Sequence, residues 1–91
     1  MARFVVELRY LDPDRRTEVR PQHLVYVRDL AARGSVVSAG PWADGTGSLT
    51  IYDTATEDHV RRLVADDPYT VAGVVELVSL REWTPVVHRE L

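Results

Sequence analysis

The chain has 91 residues, 45% hydrophobic and 27% charged, with no cysteine and a formal net charge of −3 from 14 acidic and 11 basic residues. That length fits one domain over 1–91, the composition excludes a disordered chain, and the absence of thiols excludes disulfides, thiolate metal sites and a cysteine nucleophile. Charges of both signs are mixed along the chain, no apolar run approaches the ~18 residues of a membrane span, and Met1 opens no signal-peptide core, so a cytoplasmic protein without nucleic-acid or membrane partners is expected.

Phe4, Val6, Leu8 and Tyr10 alternate with Arg3, Val5, Glu7 and Arg9, which predicts a first strand with one apolar face. Asp12-Pro13-Asp14 is turn chemistry, because proline presets φ and aspartate oxygens accept nearby backbone N–H groups. Pro21 suits the first turn of a helix, and Leu24, Val27, Leu30 and Ala31 then recur at helical spacing until Gly34. A first helix is therefore expected from Arg20 to Arg33. Ser35–Gly40 and Gly47–Asp53 read as strands two and three, joined by the hairpin-length loop Trp42-Ala-Asp-Gly-Thr-Gly47. Thr54-Ala-Thr-Glu57 fits a capping box for a second helix carrying Val60, Leu63 and Val64 on one face, which Asp66-Asp67-Pro68 ends. Val74 to Trp83 is a β-rich run and supplies strand four. Residues 84–91 are left as a short edge strand or a tail reaching a partner subunit.

The order βαββαβ predicts an α+β, ferredoxin-like domain: a four-stranded antiparallel sheet with both helices on one face. The other face is bare, yet Val5, Val74 and Val78 put apolar residues on the second strand parity, which favours a homodimer covering it. A chain this small, burying only about 60–65% of its unfolded surface, also gains from association.

Arg20-Pro21-Gln22-His23-Leu24, Ala39-Gly40-Pro41, Gly47-Ser48, Asp66-Asp67-Pro68-Tyr69 and Gly73-Val74 follow one another in an order that resembles the YciI-like (YCII-related) family, over residues 4 to 83. The resemblance implies a ferredoxin-like fold dimerising into an α/β barrel, with a cleft whose active residues are a histidine and an aspartate. A dehydrochlorinase acting on a chlorinated hydroxyquinone is the known type of activity. The loop from Trp42 to Thr46 is shorter than in the longer members, so the substrate is not carried over.

His23 forms an i, i+4, i+7 row with Val27 and Leu30, which turns its imidazole toward the sheet. A histidine there is either a general base held by a carboxylate or a half-buried residue bonded to a backbone carbonyl; the resemblance favours the base. Asp67 is the candidate carboxylate, preferred to its neighbour Asp66 because the resemblance implies an acid directly before proline, and it also fits a turn-forming Asp. Tyr69 offers a hydroxyl and an aromatic wall, or simply packs on helix one. Arg20 presents a cation to an anionic substrate or forms a surface ion pair. Gly40, Pro41 and Ser48 flank the loop between strands two and three; the glycines there make a turn or let backbone approach a ligand, and Ser48 is a hydrogen-bond donor without a nucleophile elbow around it. His59 and His88 lack metal spacing, and Gly45-Thr-Gly47 lacks the helix of a dinucleotide site, so neither metal nor cofactor is expected.

Three functions compete. A cofactor-independent enzyme would use His23 and Asp67 for proton transfer on a small molecule, as a lyase, isomerase or dehydrochlorinase. A non-catalytic ligand-binding or accessory dimer would need the pocket without the pair. A purely structural dimerisation module would need no polar cleft.

Overall fold

The computed structural model describes residues 2–89. The elements run β1 Ala2–Tyr10, α1 Pro13–Ala32, β2 Val36–Pro41, β3 Gly47–Thr54, α2 Glu57–Asp66, α3 Pro68–Val71 and β4 Val75–Trp83. The strands form one sheet in the order β2-β3-β1-β4, and every neighbouring pair is antiparallel. This is the ferredoxin-like α+β arrangement expected from the alternating patterns.

Strand parity decides which face is covered. Phe4, Val6 and Leu8 stand opposite Tyr52, Thr50 and Ser48 of β3, and this is the face on which Val27 and Leu30 of α1 and Val60 and Val64 of α2 pack. Both long helices thus lie on one side of the sheet. The opposite face carries Val5, Leu49 and Ile51 with Trp83, and Val78 is half exposed at the edge. Val74 does not belong to that face. It is 1% exposed, its N–H bonds the Tyr69 carbonyl and its carbonyl accepts from Leu11, so it serves the core.

Helix α1 begins two turns before the expected Arg20. Asp12 is its N-cap, accepting from the Arg15 N–H at 3.1 Å, and Pro13 rather than Pro21 occupies the first helical position. Pro21 therefore lies inside the helix, where its missing N–H leaves one carbonyl without its helical partner. The N-cap of α2 is Thr56, whose hydroxyl accepts from His59, whereas Thr54 belongs to β3 and donates to the Thr56 carbonyl. The N-cap thus lies two residues later than expected, and with His59 at its third helical position no capping box forms. Asp67 closes α2 and caps the single turn of α3, an element not foreseen. Residues 84–89 contain no strand, which removes the edge-strand reading for them; the expectation for the last two residues lies outside the described ones.

Gly40 sits within β2 rather than in a turn, and the left-handed backbone of the hairpin is supplied by Gly45 at φ 74°. Asp44 completes that loop by accepting from both the N–H and the hydroxyl of Thr46, and these bonds hold its carboxyl below the usual range. Among the described residues, no helix is long and apolar enough to cross a membrane.

Candidate functional site

Residues 16, 20, 23 and 27 of α1 fall at i, i+4, i+7 and i+11, a single stripe, and this stripe faces β2 and β3 across a cleft of about 350 Å³. Arg20, His23, Gly40, Pro41, Ser48 and Tyr69 all line it. Six of the seven residues singled out in the sequence thus share one cavity, and the seventh, Asp67, stands behind it.

The His23 side chain is 17% exposed and that of Asp67 only 2%. Nδ1 of His23 lies 2.8 Å and 3.1 Å from the two Asp67 carboxylate oxygens. A carboxylate can only accept here, so Nδ1 carries the proton in the neutral ring and Nε2 keeps its lone pair. Asp67 Oδ1 also accepts from the Tyr69 N–H at 2.9 Å. A buried carboxylate is thereby satisfied by one side chain and one backbone donor, as burial of a charge requires. Both readings of Asp67 hold in geometry: it caps α3 and it anchors the imidazole. Asp66 is exposed and makes no such contact.

Tyr69 fixes the ring from its other side. Its phenol lies parallel to the imidazole at 8° with centroids 3.8 Å apart, and it meets Tyr10 edge-on at 6.1 Å. Its hydroxyl accepts from Arg16 at 3.4 Å, and the Arg16 guanidinium sits 4.2 Å over the Tyr10 ring. Burial pushes the Tyr69 phenol up in pKa, opposed by the Arg16 hydrogen bond and the positive charge of Arg16 and Arg20. Below the site, Tyr26 donates to the Leu63 carbonyl at 2.6 Å and ties α1 to α2; burial, with Asp66 and Asp67 nearby, pushes its pKa up to about 12.

The sequence reading missed Arg16, Arg28, Tyr10 and Thr50, which also line the cleft. Starting α1 at the Asp12 cap would have put Arg16 on the stripe of Arg20 and His23. Thr50 shares its strand parity with Ser48, already a candidate. No set of three or more His, Cys, Asp or Glu side chains suited to a metal occurs among the described residues.

Residues 3–84 match the YCII-related domain. The chain belongs to this family. Protein YciI of Escherichia coli O6:H1 is 31% identical to it over 83 residues, covering 80% of this chain and 85% of the relative, and protein YciI of Shigella flexneri matches to the same extent. Among solved structures, the 5-chloro-2-hydroxyhydroquinone dehydrochlorinase TftG of Burkholderia phenoliruptrix AC1100, in complex with 2,5-dihydroxybenzoquinone, superposes with a TM-score of 0.75. That pair is 26% identical, with 92% of this chain and 94% of the other covered.

Proposed function

We propose that the cleft is the active site of a cofactor-independent enzyme in which His23, oriented by Asp67, moves a proton on a small molecule. The observation that carries this reading is the buried 2.8 Å contact between Nδ1 and the Asp67 carboxylate, behind a ring that lines an open cavity. With Nδ1–H committed to the carboxylate, Nε2 is the nitrogen left to take a proton from substrate. Asp67 then stabilises the imidazolium that forms, and Tyr69 holds the ring plane. Taking a C–H or ring O–H proton in this way builds electron density that can expel a leaving group, from the neighbouring carbon or through a conjugated ring, or return a proton elsewhere. The first outcome is a lyase, the second an isomerase. The dehydrochlorinase activity of the structural relative is of the first kind: loss of one proton and one chloride, with no oxidant needed.

A thermal-shift screen of small polar and aromatic molecules, with 5-chloro-2-hydroxyhydroquinone among them, tests the reading when each hit is assayed for turnover. At least one stabilising ligand is expected to be converted, with chloride release for a chlorinated one, and His23→Gln is expected to bind it without converting it. Ligands that bind wild type and are never converted would favour the non-catalytic binding subunit instead.

The same reading makes the protein a cytoplasmic homodimer, joined through the open sheet face around Val5, Leu49, Ile51 and Trp83. Light scattering at micromolar concentration is expected to give twice the chain mass, and a monomer mass at every concentration would overturn the dimer.

A further inference from the structure

Three arginines of the cleft have no part in this proton transfer. Arg16, Arg20 and Arg28 line it, and among the described residues no aspartate or glutamate does, although the chain carries a net charge of −3. The ion pairs of other arginines lie elsewhere: Arg9 with Glu76, Arg33 with Asp29 and Arg61 with Glu57. Arg16 bonds only to tyrosines, and neither Arg20 nor Arg28 has an ion-pair partner among the described residues.

This arrangement opposes folding. Arg16 and Arg20 are neighbours at i, i+4 with like charge, and Arg16 stands at the end of the first turn of α1, near the positive end of its dipole. Each effect costs about 0.2–1 kcal/mol at an exposed helix surface. An anion in the cleft would reverse both signs, because a guanidinium then gains a charge-assisted hydrogen bond in a partly water-excluded place.

The sheet side gives an independent sign of a ligand. Ser48 and Thr50 line the cleft floor at 9% and 6% exposure, and neither hydroxyl makes a hydrogen bond to the protein among the described residues, so what remains exposed of each opens onto the cleft. Their strand parity is the one a core would fill with aliphatic side chains, as Val6 and Leu8 do directly opposite on β1.

We propose that the substrate of this cleft is a small organic oxyanion, a carboxylate or an ionised ring hydroxyl, held between Arg16 and Arg20 while Ser48 and Thr50 hydrogen-bond its oxygens. The proposal rests on the cleft being the substrate site, and it names the substrate's charge. It is tested by binding alone, so that turnover plays no part. Two matched pairs serve as probes: 2,5-dihydroxybenzoquinone, an acid ionised at neutral pH, against its neutral dimethyl ether, and benzoate against benzamide. Amide shifts in nitrogen-15 spectra report both affinity and place.

Each anion is expected to bind about tenfold or more tightly than its neutral partner, with shifts centred on Arg16, Arg20, Ser48 and Thr50. Arg20→Gln, at an exposed position without a structural partner, is expected to weaken the anions about five- to tenfold and leave the neutral probes unchanged. Arg16→Gln should do the same, but it also touches Tyr10 and Tyr69, so the Arg20 variant decides if the Arg16 one unfolds. Equal or tighter binding of the neutral partners, no anion binding in the cleft, or anion affinity untouched in Arg20→Gln overturns the proposal. His23→Gln is expected to keep anion binding. A His23→Gln protein that still turns over a bound anion would overturn the proton-transfer reading and leave the anion site standing.

Discussion

Asp67→Asn is expected to lower kcat by about three to four orders of magnitude on any substrate the protein converts, because the amide removes the charge behind His23 and sets an NH2 group against Nδ1. In the native pair Nδ1–H donates to a carboxylate oxygen. An asparagine that keeps the Tyr69 N–H bond has its carbonyl in the Oδ1 place, 2.8 Å from Nδ1, and its NH2 group in the Oδ2 place at 3.1 Å, so an acceptor and a donor compete for Nδ1. Where the NH2 group wins, the ring proton moves to Nε2, the atom that has to accept one, and in either case the imidazolium loses its counter-charge. Folding should suffer little. Asparagine is as good an N-cap as aspartate, so the α3 cap survives and the stability loss is about 1 kcal/mol, a shift in Tm of about 4–8 °C for a chain of this size. Asp67→Ala removes the cap as well and leaves Nδ1–H without its acceptor, so its Tm should fall further at a similar kcat. Turnover and calorimetry on the two variants separate the roles. An asparagine variant with native kcat and a strongly lowered Tm would make Asp67 a structural residue and would end the dyad.

The part of this site legible in the sequence is the part that has a local signature. The parity of Phe4, Val6 and Leu8 placed β1 and its buried face, and the His23, Val27, Leu30 row turned the histidine inward, as the structure has it. The first two turns of α1 had no such mark. From Pro13 to Arg20 the only apolar side chain besides the proline is Val19, and the segment is held by the Asp12 cap and the docking of Arg16 on Tyr10 and Tyr69 rather than by an apolar stripe. Pro21 then offered a false start, since a proline at the first helical position and one tolerated inside a helix look alike in sequence. That error hid Arg16 by removing it from the helix altogether. Helix α3 is one turn, too short for any periodicity, and only its Asp67-Pro68 cap could have announced it. The meeting of His23 with Asp67, 44 residues apart, is a product of topology. Nothing local encodes it, and only the family resemblance had joined the two.

Strand β3 carries a related lesson. Its aliphatic residues Leu49 and Ile51 point to the open face, whereas its hydroxyls Ser48, Thr50 and Thr54 point to the helices, the reverse of what binary patterning asks of a core strand. The register against β1 enforces this, because Tyr52 pairs with Phe4 and every second residue follows it. A polar floor under α1 and an apolar back to the sheet are what a strand serving both a ligand cleft and a subunit interface would need.

Gly47→Ala is expected to be among the most damaging substitutions away from the hydrophobic core, although the residue gained is a single methyl group. Gly47 begins β3 opposite Arg9, and a Cβ there would run into the Leu8 carbonyl oxygen, with further backbone atoms of Leu8 and Arg9 at 3.2 Å. The obstacle is main chain inside a hydrogen-bonded ladder, so no rotamer change relieves it. Either β1 and β3 separate at this end, weakening the Tyr10 N–H bond to Thr46 and the Trp42 N–H bond to Gly47, or β3 tilts and carries Ser48 off the cleft floor. Overpacking of this kind costs about 3 kcal/mol, which lowers Tm by roughly 12–24 °C in a chain of this length. Gly40→Ala provides the contrast. No atom lies within 4 Å of the Cβ it would add, and its backbone is not left-handed, so its Tm should move by only a few degrees in either direction. Gly40 lines the cleft through its backbone alone: it pairs with Leu49, whose side chain points to the open face, so the added methyl group points away from the cleft. A Gly40→Ala protein is expected to keep its affinity for 2,5-dihydroxybenzoquinone, and weakened binding at native Tm would show that the ligand depends on the backbone there. Native Tm with native affinity would leave it a strand residue that happens to be small, and a Gly47→Ala protein as stable as wild type would show that the β1–β3 ladder can yield at this end.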